Sequence, residues 1–260
     1  MSMGRTISIV SGKGGVGKTT IAANLAVALS KLGEKVLLID ADVAMANIAL
    51  LFRLQSAPIT LQDVLLGESD IFDAMYEGPF GLTVVPSGLS LNAYRRINPD
   101  KLKSAVAAVK NDYDYIFVDA PAGIGDNAMA AMAATDEAII VVTPDPASLA
   151  DALKIKLVAE RIGVKPYGSI INMVRKLPGE ASEDHVRELL ELAVLGSIPD
   201  DPEVRKSILL KNPAPVIVRA PDSPASRALM QIASRISGIQ IRQEKKGFLT
   251  FIRSLFQKKK

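Results

Sequence analysis

The chain of 260 residues contains no cysteine, and that single absence removes disulfides, thiolate catalysis and thiolate-held iron–sulfur clusters together. It contains one histidine, His185, on a segment from Glu183 to Leu192 that reads as a surface helix. Metal and triad chemistry need partners that this histidine lacks. No apolar run approaches the roughly 18–20 residues needed to cross a bilayer. The chain begins without a secretory signal pattern, so the expectation is a cytoplasmic protein. A basic body is missing as well. The whole chain carries +3, but residues 244–260 hold six cations and one acid, a net of +5, which leaves −2 for residues 1–243. The basicity that would argue for nucleic acid therefore belongs to the tail, and specific DNA binding is not expected.

What is present is enough apolar material, 48% of residues, for one large core. Short apolar runs recur at Ile7–Val10, Val36–Ile39, Leu82–Val85, Ile116–Val118, Ala138–Val142, Ser169–Ile171, Val194–Ile198 and Val216–Val218. Helical patterns lie between most of them, among them Thr20 to Leu32, Asp100 to Lys110 and Ala225 to Ile236. Apolar strands alternating with helices predict an α/β fold: one domain, with a doubly wound, mainly parallel sheet covered on both faces. A ligand should then lie off the carboxyl ends of the strands. The stretch Gln55 to Ser90 is the least regular.

At the end of the first strand stands Gly12-Lys13-Gly14-Gly15-Val16-Gly17-Lys18-Thr19-Thr20, which satisfies G-x-x-x-x-G-K-[ST]. Strand, glycine loop and helix occur in the order that a phosphate-wrapping loop requires. Glycines let successive N–H groups curl around an anion, and the helix that follows adds its positive end. Lys18 is assigned to the β- and γ-phosphates, Thr19 to Mg2+, and Thr20 to the α-phosphate or the helix cap. Lys13 exceeds what such a loop needs and asks for its own explanation.

Two acids complete the candidate site. Tyr115 to Val118 is an apolar strand ending in Asp119, placed to hold Mg2+ through water, followed by Ala120-Pro121-Ala122-Gly123. Gly123 is placed to bring a backbone N–H to the γ-phosphate. A second strand ends in Asp40, with Asp42 two residues on; one of these should face the attacking water or the metal's water shell. The base is expected to be adenine. Guanine sites show N-K-x-D, whereas this chain reads Asn172-Met173-Val174-Arg175 and has no base-reading aspartate there. Asn172 offers amide groups to an adenine edge, and Pro199-Asp200-Asp201-Pro202 would form the other wall.

The tail has its own pattern. Phe248, Phe251, Ile252, Leu255 and Phe256 repeat at helical spacing, Leu249 widens the stripe, and Arg253 with Lys258, Lys259 and Lys260 supplies charge. That is the composition of a helix lying in an anionic membrane interface. Docking on the body or on a partner is the other reading. Each buried large apolar side chain contributes ~1.5–3 kcal/mol before ordering costs, so one short tail grips weakly and two joined tails grip far better.

The loop with its extra lysine resembles the deviant Walker A motif of the MinD/ParA ATPases. The resemblance covers nearly the whole chain, including Asp40-Ala41-Asp42 with Asn47, Val118 to Gly123, and Ile198 to Pro202. The tail favours the MinD branch, of archaeal type. The resemblance implies an ATP- and Mg2+-dependent sandwich homodimer in which Lys13 reaches the partner's phosphates. Asp42 would orient the attacking water, Asn47 would belong to a first switch, and Asp119 to Gly123, with Pro121, to a second. Asp151 resembles a family acid that pairs with the signature lysine, although Thr143-Pro144-Asp145-Pro146 departs from the usual T-N-P-E. The implied role is an ATPase of weak intrinsic turnover. It sits peripherally on the inner face of the cell membrane and positions division or other surface machinery through an unidentified activator or division-type partner. A DNA-partition ATPase, a flagellar-placement ATPase and a nucleotide-gated scaffold without turnover remain alternatives.

Overall fold

The computed structural model describes residues 4–42, 47–88, 100–209 and 211–240. The membrane candidates Phe248, Leu249, Phe251, Ile252, Leu255 and Phe256 lie outside them. Eight strands form one sheet in the order β3-β4-β2-β5-β1-β6-β7-β8. They are β1 (Arg5–Val10), β2 (Val36–Asp40), β3 (Tyr76–Glu77), β4 (Thr83–Val85), β5 (Tyr115–Asp119), β6 (Glu137–Val142), β7 (Lys165–Val174) and β8 (Val194–Pro199). Every described pairing is parallel except β3 with β4.

The alternation of side chains divides the core between the two faces of the sheet. Leu38 and Phe117 point to one face, where they meet α1 (Lys18–Lys31), α9 (Val216–Arg219) and α10 (Pro224–Ser237). Leu37, Ile39, Ile116 and Val118 point to the other face. There they meet α3 (Leu61–Leu66), α4 (Asp100–Val109), α5 (Asp126–Ala133), α6 (Pro146–Arg161) and α7 (Glu183–Leu190). Two short helices, α2 (Asn47–Phe52) and α8 (Pro202–Leu209), stand at the carboxyl end of the sheet near the site. Both faces are covered, so the strands can be apolar throughout.

The register brings the two strand-end acids together: Asp40 is the direct partner of Asp119 across β2 and β5, and Ile9 of β1 is partner to Asp119 on its other side. At the opposite, amino end of the strands, the Ile236 carbonyl near the end of α10 accepts from Arg5 Nη1 (3.3 Å) and the Tyr115 hydroxyl (3.2 Å). The described chain therefore ends, at Gln240, on the side away from the phosphate loop.

One expected strand is a helix. Val216–Val218 lies in α9, because Pro215 starts a turn there and Asn24 Oδ1 accepts the Ile217 N–H at 3.1 Å, drawing Val216 and Ile217 onto α1. A short apolar run does not distinguish a strand from a buried helical turn. The irregular stretch contains α3 and the antiparallel hairpin β3–β4, whose two-residue edge strand is too short for an alternation signal. His185 is exposed on α7, as expected of a surface helix.

Candidate nucleotide site

The phosphate loop leaves β1 and enters α1 with Gly17 at the helix N-cap, in the left-handed region (φ 87). No side chain caps α1 and its first turn holds no acid, so its leading N–H groups remain for an anion. Gly17 is required twice over. Its backbone suits glycine, and an added Cβ would stand 2.3 Å from Asn172 Nδ2. Gly12 is required by proximity, since a Cβ there would lie 2.4 Å from the Asp151 Cβ on α6. Gly14 and Gly15 face open space.

Ser11, Gly14, Gly15, Gly17, Lys18, Thr19 and Thr20 line a cavity of about 420 Å³, closed on the far side by Asp42, Asn47 and Ala122. Lys18 is buried, and its Nζ donates to Asp119 Oδ1 at 2.6 Å. Burial pushes the Asp119 carboxyl up; Lys18 and the Thr19 hydroxyl pull it back without restoring its ordinary value. Asp119 Oδ2 is buried with no hydrogen-bond partner among the described residues. An orphaned carboxylate oxygen beside a lysine and a threonine hydroxyl is costly alone. It suits a hydrated Mg2+ carried in by a nucleotide, so the donor set fits both.

Asp40 is fully buried, and both oxygens are engaged. Oδ1 accepts from the Asp42 N–H and Oδ2 from the Ile48 N–H, each at 3.2 Å. Burial and then the Asp119 charge raise its pKa well above the ordinary value. In this arrangement Asp40 holds the two ends of the segment that carries Asp42 and Asn47, and Asp42 and Asn47, rather than Asp40, line the cavity. Gly123 also has a present task, since its N–H donates to the Ser11 carbonyl at 2.9 Å. It must leave that bond before it can meet a phosphate. Pro121 precedes it, half-buried, at the start of the same turn.

Lys13 is absent from the cavity lining. Its Nζ lies 3.1 Å from Asp145 Oδ1, and the same carboxylate accepts the Thr143 hydroxyl (2.5 Å) and the Ser148 N–H (2.9 Å) as N-cap of α6. The pairing of Lys13 with Asp151 implied by resemblance is therefore not the one observed; Asp151 instead accepts from Lys154. The run Thr143-Pro144-Asp145-Pro146 puts an acid at the N-cap of the helix, within reach of the Lys13 side chain.

A second cavity, of about 200 Å³, opens beside the first and shares Gly17, Thr20, Met173 and Ile208 with it. Asn172, Pro199, Asp200 and Asp201, the residues assigned to the base from the sequence, all line it. Their tasks differ from simple walls. Asn172 Nδ2 donates to the Val16 carbonyl at 2.8 Å and so braces the loop. Asp200 pairs with Arg175 at 2.6 Å. Asp201 accepts from the N–H groups of Glu203 and Ala225, tying α8 to α10. Met173, Arg175, Ile208 and Asp145 carried no assigned role in the sequence. The T-P-D-P departure was the one signal available for Asp145; for Met173 and Ile208 there was none.

Two family models match the chain, one described as an AAA domain over residues 4–163 and one as an iron-transfer P-loop NTPase (NUBPL) over residues 100–237. An uncharacterised ATP-binding protein of Methanocaldococcus jannaschii is 44% identical over 98% of this chain and 97% of its own. The septum site-determining protein MinD of Bacillus subtilis is 33% identical over 98% of each. Among solved structures, Pyrococcus horikoshii MinD complexed with Mg-ADP superposes with a TM-score of 0.86, at 35% identity, over 92% of this chain and all of that one.

Proposed function

This chain belongs to the ParA/MinD family of P-loop ATPases, and from that premise we propose that it is a Mg-ATP-driven dimerising ATPase whose tail attaches it reversibly to membrane. The observation that carries the reading is the division of labour between two lysines of one loop. Lys18 faces the phosphate cavity, whereas Lys13 is held at the rim on Asp145, outside it. A cation on that rim is available to a neighbouring subunit, and positioned positive charge is what phosphoryl transfer gains from most.

The roles follow from position. The loop N–H groups and Lys18 bind the phosphates, and Thr19 with Asp119 holds the hydrated metal. Held there, Mg2+ would supply positive charge to the phosphates. Asp42 orients the attacking water, and Asp40 fixes Asp42 through its backbone. Gly123 exchanges the Ser11 carbonyl for the terminal phosphate, which makes the Pro121–Gly123 turn sensitive to that phosphate. Asn172, Met173 and Pro199 enclose the adenine.

Residues 1–243 form the ATPase body and residues 244–260 the basic amphipathic helix. Dimerisation joins two tails, so membrane grip follows the nucleotide. The protein thereby positions division-type or other surface machinery on the inner face of the membrane, as the name of the Bacillus relative suggests. Sedimentation with anionic vesicles tests this. The full chain binds with ATP, at least about tenfold less with ADP, and not at all without residues 247–260. Equal binding with both nucleotides contradicts the reading.

A further inference from the structure

We infer that Asn24, in the middle of α1, is a positioning residue: its amide ties the helix of the phosphate loop to the α8–α9 wall and so keeps the second cavity closed on a nucleotide base. This rests on the nucleotide reading above and extends it to a residue that touches no nucleotide.

Asparagine is a poor choice for a helix interior, because its amide competes for backbone partners. Asn24 nonetheless stands mid-helix and is 1% exposed. Both ends of its amide are used. Nδ2 donates to the Thr20 carbonyl at 2.8 Å, and Oδ1 accepts the Ile217 N–H at 3.1 Å. The two partners settle which end is which, since an N–H meets the amide oxygen and a carbonyl meets the NH2.

Each partner leads to a wall of the site. Thr20 lines both cavities. Ile217 is the second residue of α9, a helix whose N-cap, Pro215, offers no side-chain acceptor to the leading N–H groups. Asn24 supplies that acceptor from another helix. α9 is joined back to α8 by the Ala214 N–H, which donates to the Ser207 carbonyl at 3.1 Å. Arg219 Nη1 fastens the connection by donating to the Asn212 carbonyl at 2.8 Å. α8 in turn presents Val204, Arg205 and Ile208 to the second cavity, and Ile208 reaches the first as well. A local N-cap would have satisfied α9 equally well. A cap borrowed from α1 also sets Thr20 and Ile208 at a fixed separation across the site.

Without the amide the Ile217 N–H is left buried and unpaired, α9 loosens from α1, and the α8 wall draws back from the base. The phosphate loop keeps its own supports, Lys18 on Asp119 and the Val16 carbonyl on Asn172.

Calorimetric titration of the full chain with Mg-ATP, and with inorganic triphosphate and Mg2+, which bring no base, tests this. Asn24→Leu binds Mg-ATP roughly tenfold more weakly and triphosphate within about twofold of wild type. Pro215→Ser, added to it, gives α9 a cap of its own and recovers melting temperature without recovering ATP affinity. Where Asn24→Leu alone does not fold, this double variant carries the test. Wild-type ATP affinity in either variant overturns the inference, as do equal losses for ATP and triphosphate. If neither variant folds, Asn24 is a structural residue alone and the inference falls. A wild-type chain that binds no Mg-ATP contradicts the ATPase reading instead.

Discussion

Lys13 and Lys18 sit in one loop and meet opposite surroundings. Lys18 is buried against a carboxylate that is itself fully buried, and breaking such a pair costs about 3–5 kcal/mol because one charge is left uncompensated. Lys18→Ala therefore loses nucleotide binding and also melts lower, which calorimetry and a nucleotide titration read separately. Lys13 and Asp145 are both substantially exposed, so their pair contributes about 0–1 kcal/mol. Lys13→Ala leaves fold and binding close to wild type while halting turnover; unchanged turnover defeats the role in trans. Asp145→Asn retains an oxygen for the Ser148 cap and loosens Lys13. It is expected to dimerise with ATP up to about fivefold more readily, as measured by equilibrium ultracentrifugation. The phosphate loop was legible in the sequence because its parts are consecutive. Asp145 was not, because it meets Lys13 across 132 residues and only the fold brings them together.

Among elements, the strands and their carboxyl-end acids were legible, since a buried parallel strand advertises itself as an apolar run. α9 was misread because three apolar residues carry no period, and its fate was decided by Pro215 and a distant Asn24. The second cavity was partly legible: Asn172 and the Pro199 to Asp201 run do line it, but nothing in their spacing announced their bracing tasks. Asp201 shows the consequence. Burial alone would raise its carboxyl, but the N–H groups of Ala225 and Glu203, with Ser223 and Lys206, hold it below the ordinary value of 3.8. A lowered carboxyl stabilises the fold fully above 3.8 and loses that contribution as pH falls through the lowered value. Asp201→Ala should cost about 1–2 kcal/mol at neutral pH and lose that part of the acid limb, while also weakening nucleotide binding. A variant with the wild-type acid profile and stability contradicts the assignment.

At the scale of the molecule, the sheet separates two surfaces. Its carboxyl end carries the phosphate cavity, Lys13 and the two acids, and its amino end carries the close of α10, where the Ile236 carbonyl meets Arg5 and Tyr115. The loop was legible in the sequence; that α10 ends on the side of the sheet away from it was not, because that arises from the direction in which α10 runs. The account turns on two copies joining over ATP. Light scattering on the full chain with turnover blocked by Asp42→Ala tests this most directly. It should report a dimer with Mg-ATP and a monomer with Mg-ADP. A monomer in both, at concentrations well above the nucleotide affinity, contradicts the account.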